Sequence, residues 1–367
     1  MKQGARPRAR ELGLPLDGTP GPLNAITDVE GVSVGAAELV TEPDERGRAL
    51  CTGVTAILPR LRERMHERVW AGLHRFNGNG ELTGSHWIED GGSFTGPVLL
   101  TSTHSVGVAH HAAIRWMIEH APEGLAERHQ WYLPVVGETY DGVLSDIDAQ
   151  ALGEGHVRAA LDAARPGPVA EGNSGGGAGM IAYGFKAGTG TASRTFEAGG
   201  LPLRLGALVQ ANHGLREQLT VCGVPVGRLM PEPPPGAPRE ELGSIIVVLA
   251  TDAPLMPHQL ARLARRAALG MARGGTIGGN GSGDIFLAFS TANGAPPARL
   301  GPNVLGVRML SDECCDPVYE AAVGAVEEAV LNALLAATPR PTVRPPGGTM
   351  PAIDGPRLAG IVRTHRG

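Results

Sequence analysis

The chain has 367 residues, a formal net charge of -5 and 42% hydrophobic residues, enough for a large core in one domain or two. Charged residues at 19% and a mean hydropathy of -0.04 exclude both a disordered chain and a membrane-embedded one. No basic cluster gives an electrostatic reason to expect nucleic acid, and no run approaches the ~20 apolar residues of a membrane span.

The start, "MKQGARPRARELGLPL", is basic but lacks an apolar segment, so no secretory signal is read there and a cytoplasmic location is expected. "ITDVEGVSVGAAELV" (26–40) and "GVTAILPR" (53–60) predict strands broken by glycine. A buried strand is predicted from Val98 to Thr101, then a helix from Ser105 to Ala121 with Ser105 as N-cap and Pro122 as its stop. "WYLPVVGETYDG" (131–142) reads as a short strand running into a polar loop. "AGMIAYGFKAGTGTASRTF" (178–196) and "LRLGALVQANHG" (203–214) read as an antiparallel pair. "GRLMPEPPPGAPREELG" (227–243), with five prolines, reads as an exposed linker.

A strongly apolar strand, Ile245 to Ala250, follows directly. "MPHQLARLARRAALGMA" (256–272) predicts a helix with Met256, Leu260, Leu263 and Ala267 on one face and arginines on the other. "GDIFLAFSTAN" (283–293) is another strand, and "DPVYEAAVGAVEEAVLNALLAA" (316–337) a last helix with Val318, Ala322, Val326, Val330 and Leu334 on one stripe. Helices and strands interleaved along the whole chain predict a layered α/β sandwich in a single domain. The four cysteines, Cys51, Cys222, Cys314 and Cys315, show no CxxC spacing and are expected to be reduced.

Two glycine clusters, "EGNSGGGAGM" (171–180) and "GGTIGGNGSGD" (274–284), lead into strands and lack the Lys-Ser/Thr of a phosphate loop, which removes the nucleotide reading. His104, His110 and His111 lack the glutamate of an HExxH zinc motif and read as cap and surface residues. "GNGSG" (279–283) lacks the strand–elbow–helix context of an α/β hydrolase nucleophile.

Gly243-Ser244 carries more chemistry. A turn is the bland reading, since Gly and Ser commonly begin strands. The alternative is self-cleavage: the Ser244 hydroxyl attacks the carbonyl of Gly243, an ester forms by N→O shift, and water cuts the chain. Gly243 leaves that carbonyl open and tolerates strained dihedrals. The cut exposes Ser244 with a free α-amine of pKa near ~8, so that nucleophile and base share one residue. Asn212, at the end of a predicted strand, is a candidate oxyanion donor. Tyr140 is a candidate proton donor, and Ser282 and Asp284 share one side of an extended segment at i and i+2.

These segments, together with "NGNGELTGSHWIEDGG" (77–92) and "GSIIVVLATDAPLMPHQLARLARRAALG" (243–270), resemble in order the L-aminopeptidase/D-esterase and β-aminopeptidase family of self-processing serine peptidases, the DmpA family. The resemblance implies a four-layer αββα sandwich similar to N-terminal-nucleophile hydrolases with a different connectivity. It implies a cut between Gly243 and Ser244 into a 1–243 α chain and a 244–367 β chain. Ser244 is then the nucleophile, Asn212 and Tyr140 support the oxyanion, and Ser282 and Asp284 form the relay and orienting pair. It implies no metal or organic cofactor and a homotetramer of αβ units. The expected substrates are small peptides, amides or esters with a free N-terminal amine, from L-amino acid, D-Ala or β-amino acid termini. Glu138 is the candidate anchor for that amine, and Trp131 a candidate wall of the acyl pocket. The rival reading is an ornithine acetyltransferase-like acyl transferase, whose usual nucleophile is Thr.

Overall fold

A computed structural model describes residues 6–128, 130–230, 243–296 and 301–366. In chain order its strands are β1 (Ser33–Val40), β2 (Cys51–Leu58), β3 (Arg68–Arg75), β4 (Ser93–Phe94), β5 (Val98–Ser102), β6 (Val135–Thr139), β7 (Ile181–Ala182), β8 (Phe185–Lys186), β9 (Gly188–Ala198), β10 (Leu201–Asn212), β11 (Ser244–Thr251), β12 (Asp284–Ala295), β13 (Arg340–Val343) and β14 (Pro346–Met350). The helices are α1 (Ser85–Gly91), α2 (Val106–Glu119), α3 (Glu154–Ala163), α4 (Val226–Leu229), α5 (Pro257–Arg273), α6 (Asp316–Ala336) and α7 (Gly355–Arg366).

Two sheets carry the architecture: a four-stranded one in the order β1-β2-β5-β6 and a six-stranded one in the order β4-β3-β12-β11-β10-β9. Successive residues of a strand face opposite sides, so a strand covered on both faces reads as an unbroken apolar run. In β11, Ile246, Val248 and Ala250 join a core between the sheets, and Ile245, Val247 and Leu249 join one with α5 and α6. In the smaller sheet, Val98 and Leu100 of β5 face the interlayer core, and Leu99 packs with Ala109, Ala113 and Trp116 of α2. The order of layers is therefore helix, sheet, sheet, helix, the αββα sandwich that the resemblance implied. Each fully buried Ile or Leu contributes ~1.5–3 kcal/mol, and these run through every layer boundary.

β11 and β12 run parallel, with α5 as the crossover between them, whereas β10 and β3 flank them antiparallel. That arrangement gathers the ends of β10 and β3 and the starts of β11 and β12 at one edge. The end of β6, in the other sheet, faces the same edge, because Gln210 Nε2 donates across the gap to Thr101 O and Thr139 Oγ1, each at 2.8 Å.

Several expectations need adjusting. Residues 26–28 form a 3-10 turn ahead of β1. Ser105 precedes α2 as expected, but its hydroxyl makes no capping bond and lies 3.0 Å from Ser102 Oγ. α6 is buried on nearly all sides, beyond the predicted stripe, because the chain's first segment lies along it. Ala9 N donates to Asn332 Oδ1 at 3.0 Å, and Arg10 and Arg194 both ion-pair with Glu328 at 2.9 Å. β3, α1, α3, α7 and the β13–β14 hairpin had no sequence forecast. Most of the proline-rich linker, residues 231–242, lies outside the described residues. All four cysteines are free.

Candidate active site

Strand register builds the site. Ser244, the first residue of β11, pairs directly with Asn212, the last of β10, and Ile245 pairs with Asp284, the first of β12. Alternation places Asn212 and Ser244 on the interlayer side with Leu208, Ile246 and Val248. Asn212 Nδ2 accordingly donates to the Tyr140 carbonyl, just beyond β6, at 2.9 Å.

The Ser244 hydroxyl oxygen accepts the backbone N–H of Gly283 at 3.0 Å. That close approach needs glycine: a Cβ on Gly283 would lie 2.2 Å from Asn79 O. Gly243 is equally constrained, since a Cβ there would lie 1.7 Å from Asn212 O and 3.2 Å from Asn212 Nδ2. The Asn212 amide is oriented at both ends, because its Oδ1 accepts Ile181 N–H at 2.8 Å while Nδ2 donates to Tyr140 O. One of the two amide hydrogens serves that bond; the nitrogen's second hydrogen remains a donor beside Gly243.

Ser282 and Asp284 touch as their spacing suggested. Ser282 Oγ donates to Asp284 Oδ1 at 2.6 Å, the same oxygen accepts Ile245 N–H at 3.3 Å, and both side chains are fully buried. The other carboxylate oxygen, Oδ2, accepts Asn77 Nδ2 at 3.1 Å. The Tyr140 ring folds back over Gly142, where a Cβ would come 2.2 Å from the phenol oxygen.

Glu138 is buried at the end of β6. Its Oε1 accepts Glu81 N–H at 3.0 Å and its Oε2 accepts the Thr103 hydroxyl. Burial pushes its carboxyl above the ordinary range, and the Thr103 and Glu81 donors pull it back in part. Gly80 links it to the nucleophile, since a Cβ there would lie 3.3 Å from both Glu138 Oε1 and Gly283 Cα. Trp131 is not brought to this group. It lies before β6, at the end away from Glu138, and is 62% exposed.

Sequence reasoning passed over three groups: Asn77, Thr103 and the Gly283 N–H. Asn77 and Thr103 sit in polar stretches with no periodic signal, and a backbone N–H has no signature of its own. Among the described residues no cluster of three His, Cys, Asp or Glu side chains is arranged to hold a metal; His104 instead lies 3.6 Å from Asp148.

Comparison with known proteins identifies the family and the fold. The profile of peptidase family S58 matches residues 24–344. The β-peptidyl aminopeptidase BapA of Sphingosinicella microcystinivorans is 46% identical, covering 98% of this chain and 93% of its own. That of Sphingosinicella xenopeptidilytica is 45% identical, covering 90% and 85%. Among solved structures, the L-aminopeptidase D-Ala-esterase/amidase of Ochrobactrum anthropi matches with a TM-score of 0.91 and 52% identity over 98% of this chain and 99% of that one. It is described as a prototype for the serine aminopeptidases and a new variant of the Ntn hydrolase fold. A Burkholderia β-aminopeptidase matches with a TM-score of 0.89 and 44% identity, covering 98% and 99%.

Proposed function

The chain belongs to peptidase family S58, and on that premise we propose that it is a self-processing aminopeptidase with Ser244 as its nucleophile. It is a hydrolase of the serine aminopeptidase type, and its relatives favour hydrolysis over the acetyltransferase-like alternative. One observation carries the assignment of Ser244. This residue heads β11 immediately after Gly243, with its hydroxyl held by the Gly283 N–H and the Asn212 amide opposite.

In self-cleavage the Ser244 hydroxyl adds to the Gly243 carbonyl carbon. Its proton passes through Ser282 and Asp284 to the departing nitrogen, the C–N bond breaks, and an ester forms. Water then divides that ester into the Gly243 carboxylate and the Ser244 hydroxyl. The nitrogen becomes the α-amine of a 244–367 β chain, which stays with its 1–243 α chain in a single domain.

In turnover that amine serves as the base. Ser244 gives its proton to that amine and attacks the first carbonyl of a peptide, amide or ester. The scissile bond breaks as the proton passes on to the leaving amine or alcohol, and water then hydrolyses the Ser244 ester, releasing the N-terminal residue and restoring the hydroxyl. Asn212 Nδ2 and the Tyr140 hydroxyl donate to the developing oxyanion. Glu138 holds the substrate's ammonium with a charge-assisted bond. The family resemblance extends the proposal to a homotetramer of αβ units in the cytoplasm. Among the described residues no helix is long and apolar enough to cross a membrane.

Intact-mass analysis of active protein tests this reading. Two species are expected, one beginning "SIIVVLATDAP". An active sample with a single full-length mass overturns it.

A further inference from the structure

We propose that Asn77 is a positioning residue for the relay pair, acting through the carboxylate of Asp284; this rests on the assignment of Ser244 as nucleophile. β3 ends at Arg75, which pairs with Ile285, so the next residues are carried past the first residue of β12. Phe76 N–H donates to the Asp284 backbone carbonyl at 2.9 Å and Asn77 N–H to the same oxygen at 3.4 Å. The backbone thus delivers the Asn77 side chain to the Asp284 side chain, and Nδ2 stands 3.1 Å from Oδ2.

The two oxygens of Asp284 are differently employed. Oδ1 takes the Ser282 hydroxyl and the Ile245 N–H, one bond from the relay partner and one from the strand that begins with the nucleophile. Oδ2 accepts Asn77 Nδ2. A carboxylate with no exposure must be held by donors, or it turns about its last torsion and takes up a proton. Asn77 suits the place because an amide nitrogen only donates, whereas a carboxylate there would only accept. The same nitrogen is 3.1 Å from the carbonyls of Gly278 and Gly279, so a second role as a loop clamp has to be separated from the first.

A double-mutant cycle separates them. Asn77→Ala is expected to lower kcat by about 10- to 100-fold with KM held within about 2-fold, because the Asn77 amide bonds Gly278, Gly279 and Asp284, and not Glu138 or its donors Thr103 and Glu81. Added to Asp284→Asn, the same substitution is expected to cost less than about 3-fold. Equal losses in both backgrounds show a clamp alone and overturn the proposal. Asn77→Asp sets two carboxylates against each other, so they share a proton near neutrality. Its kcat is expected to fall, relative to Asn77→Ala, as pH rises from 6 to 9, because losing the shared proton leaves Oδ2 facing an acceptor with no donor.

A flat profile for Asn77→Asp also overturns the proposal, and this arm decides if Asp284→Asn is too slow to measure. Thermal melting checks that each variant is folded. Ser244→Ala is assayed alongside: if it stays active, the nucleophile assignment has failed, and not the role of Asn77.

Discussion

Asn212 and Ser244 are direct partners across the antiparallel β10–β11 pair, so the last side chain of one strand and the first of the next stand side by side facing the smaller sheet. Asn212 cannot swing away, because its Oδ1 and Nδ2 are tied to Ile181 N and Tyr140 O. Asn212→Ala is therefore expected to lose about 10²–10³ in kcat if the amide serves the oxyanion. It should also lose about 1–3 kcal/mol of stability, because two buried backbone groups lose their partner. Single-turnover kinetics and a urea titration measure the two effects separately. A full-speed variant removes Asn212 from the chemistry.

Gly243→Ala places a methyl group where only 1.7 Å separates it from Asn212 O. The chain must shift at the bond to be cut, so a gel should show a single uncut band. Gly283→Ala, with 2.2 Å to Asn79 O, should displace the N–H that holds Ser244 Oγ and slow cutting without abolishing it. Normal cutting in both would mean that the backbone geometry seen here is unimportant for the reaction.

Glu138→Gln tests the amine anchor. Burial raises the carboxyl of Glu138 above its usual 4.5. A group raised in this way contributes stability that is full below 4.5 and lost as pH rises through the folded value. Near pH 7 the ionised carboxylate is therefore a burden on the fold. The glutamine variant is expected to melt at the same or a higher temperature, while KM for a substrate with a free amine rises about 10-fold or more. An unchanged KM would assign the anchor to another group.

His213, next to Asn212, gives an acid-stability prediction. It is fully buried against Tyr183 at 5.1 Å between ring centroids, and neither ring nitrogen has a partner among the described residues. Burial lowers its pKa from 6.5 to about 3. The contribution of the neutral ring is fully present above 6.5 and is lost as pH falls from 6.5 toward 3. One such proton gives a slope of about 1.4 kcal/mol per pH unit. His213→Phe should flatten the dependence of melting temperature on pH in that window; an unchanged slope would assign the acid sensitivity elsewhere.

Much of this was legible in the chain, for reasons particular residues make clear. β11 is apolar without a break because both its faces are covered, so its start, and Ser244 with it, could be read. Ser282 and Asp284 are two residues apart, and local geometry brings them together. Asn77 and Asp284 are joined only through the β3–β12 pairing, a relation between segments 207 residues apart that no local pattern encodes. The burial of Glu328 was hidden likewise, since its partner Arg10 lies 318 residues away along the chain. Trp131 is close to Glu138 in sequence, but β6 runs between them: Trp131 precedes the strand's start at Val135, and Glu138 lies near its end.

The order of the larger sheet has a consequence for folding history. β11 and β12 belong to the segment after Ser244, and they are inserted between β3 and β10, both from the segment before it. A precursor assembles this sheet within one molecule. Once the bond ahead of Ser244 is broken, denatured protein can regain the sheet only when two separate polypeptides meet. Recovery from denaturant should then be second order in protein, and each round of unfolding leaves the enzyme dependent on a concentration that its first folding never required.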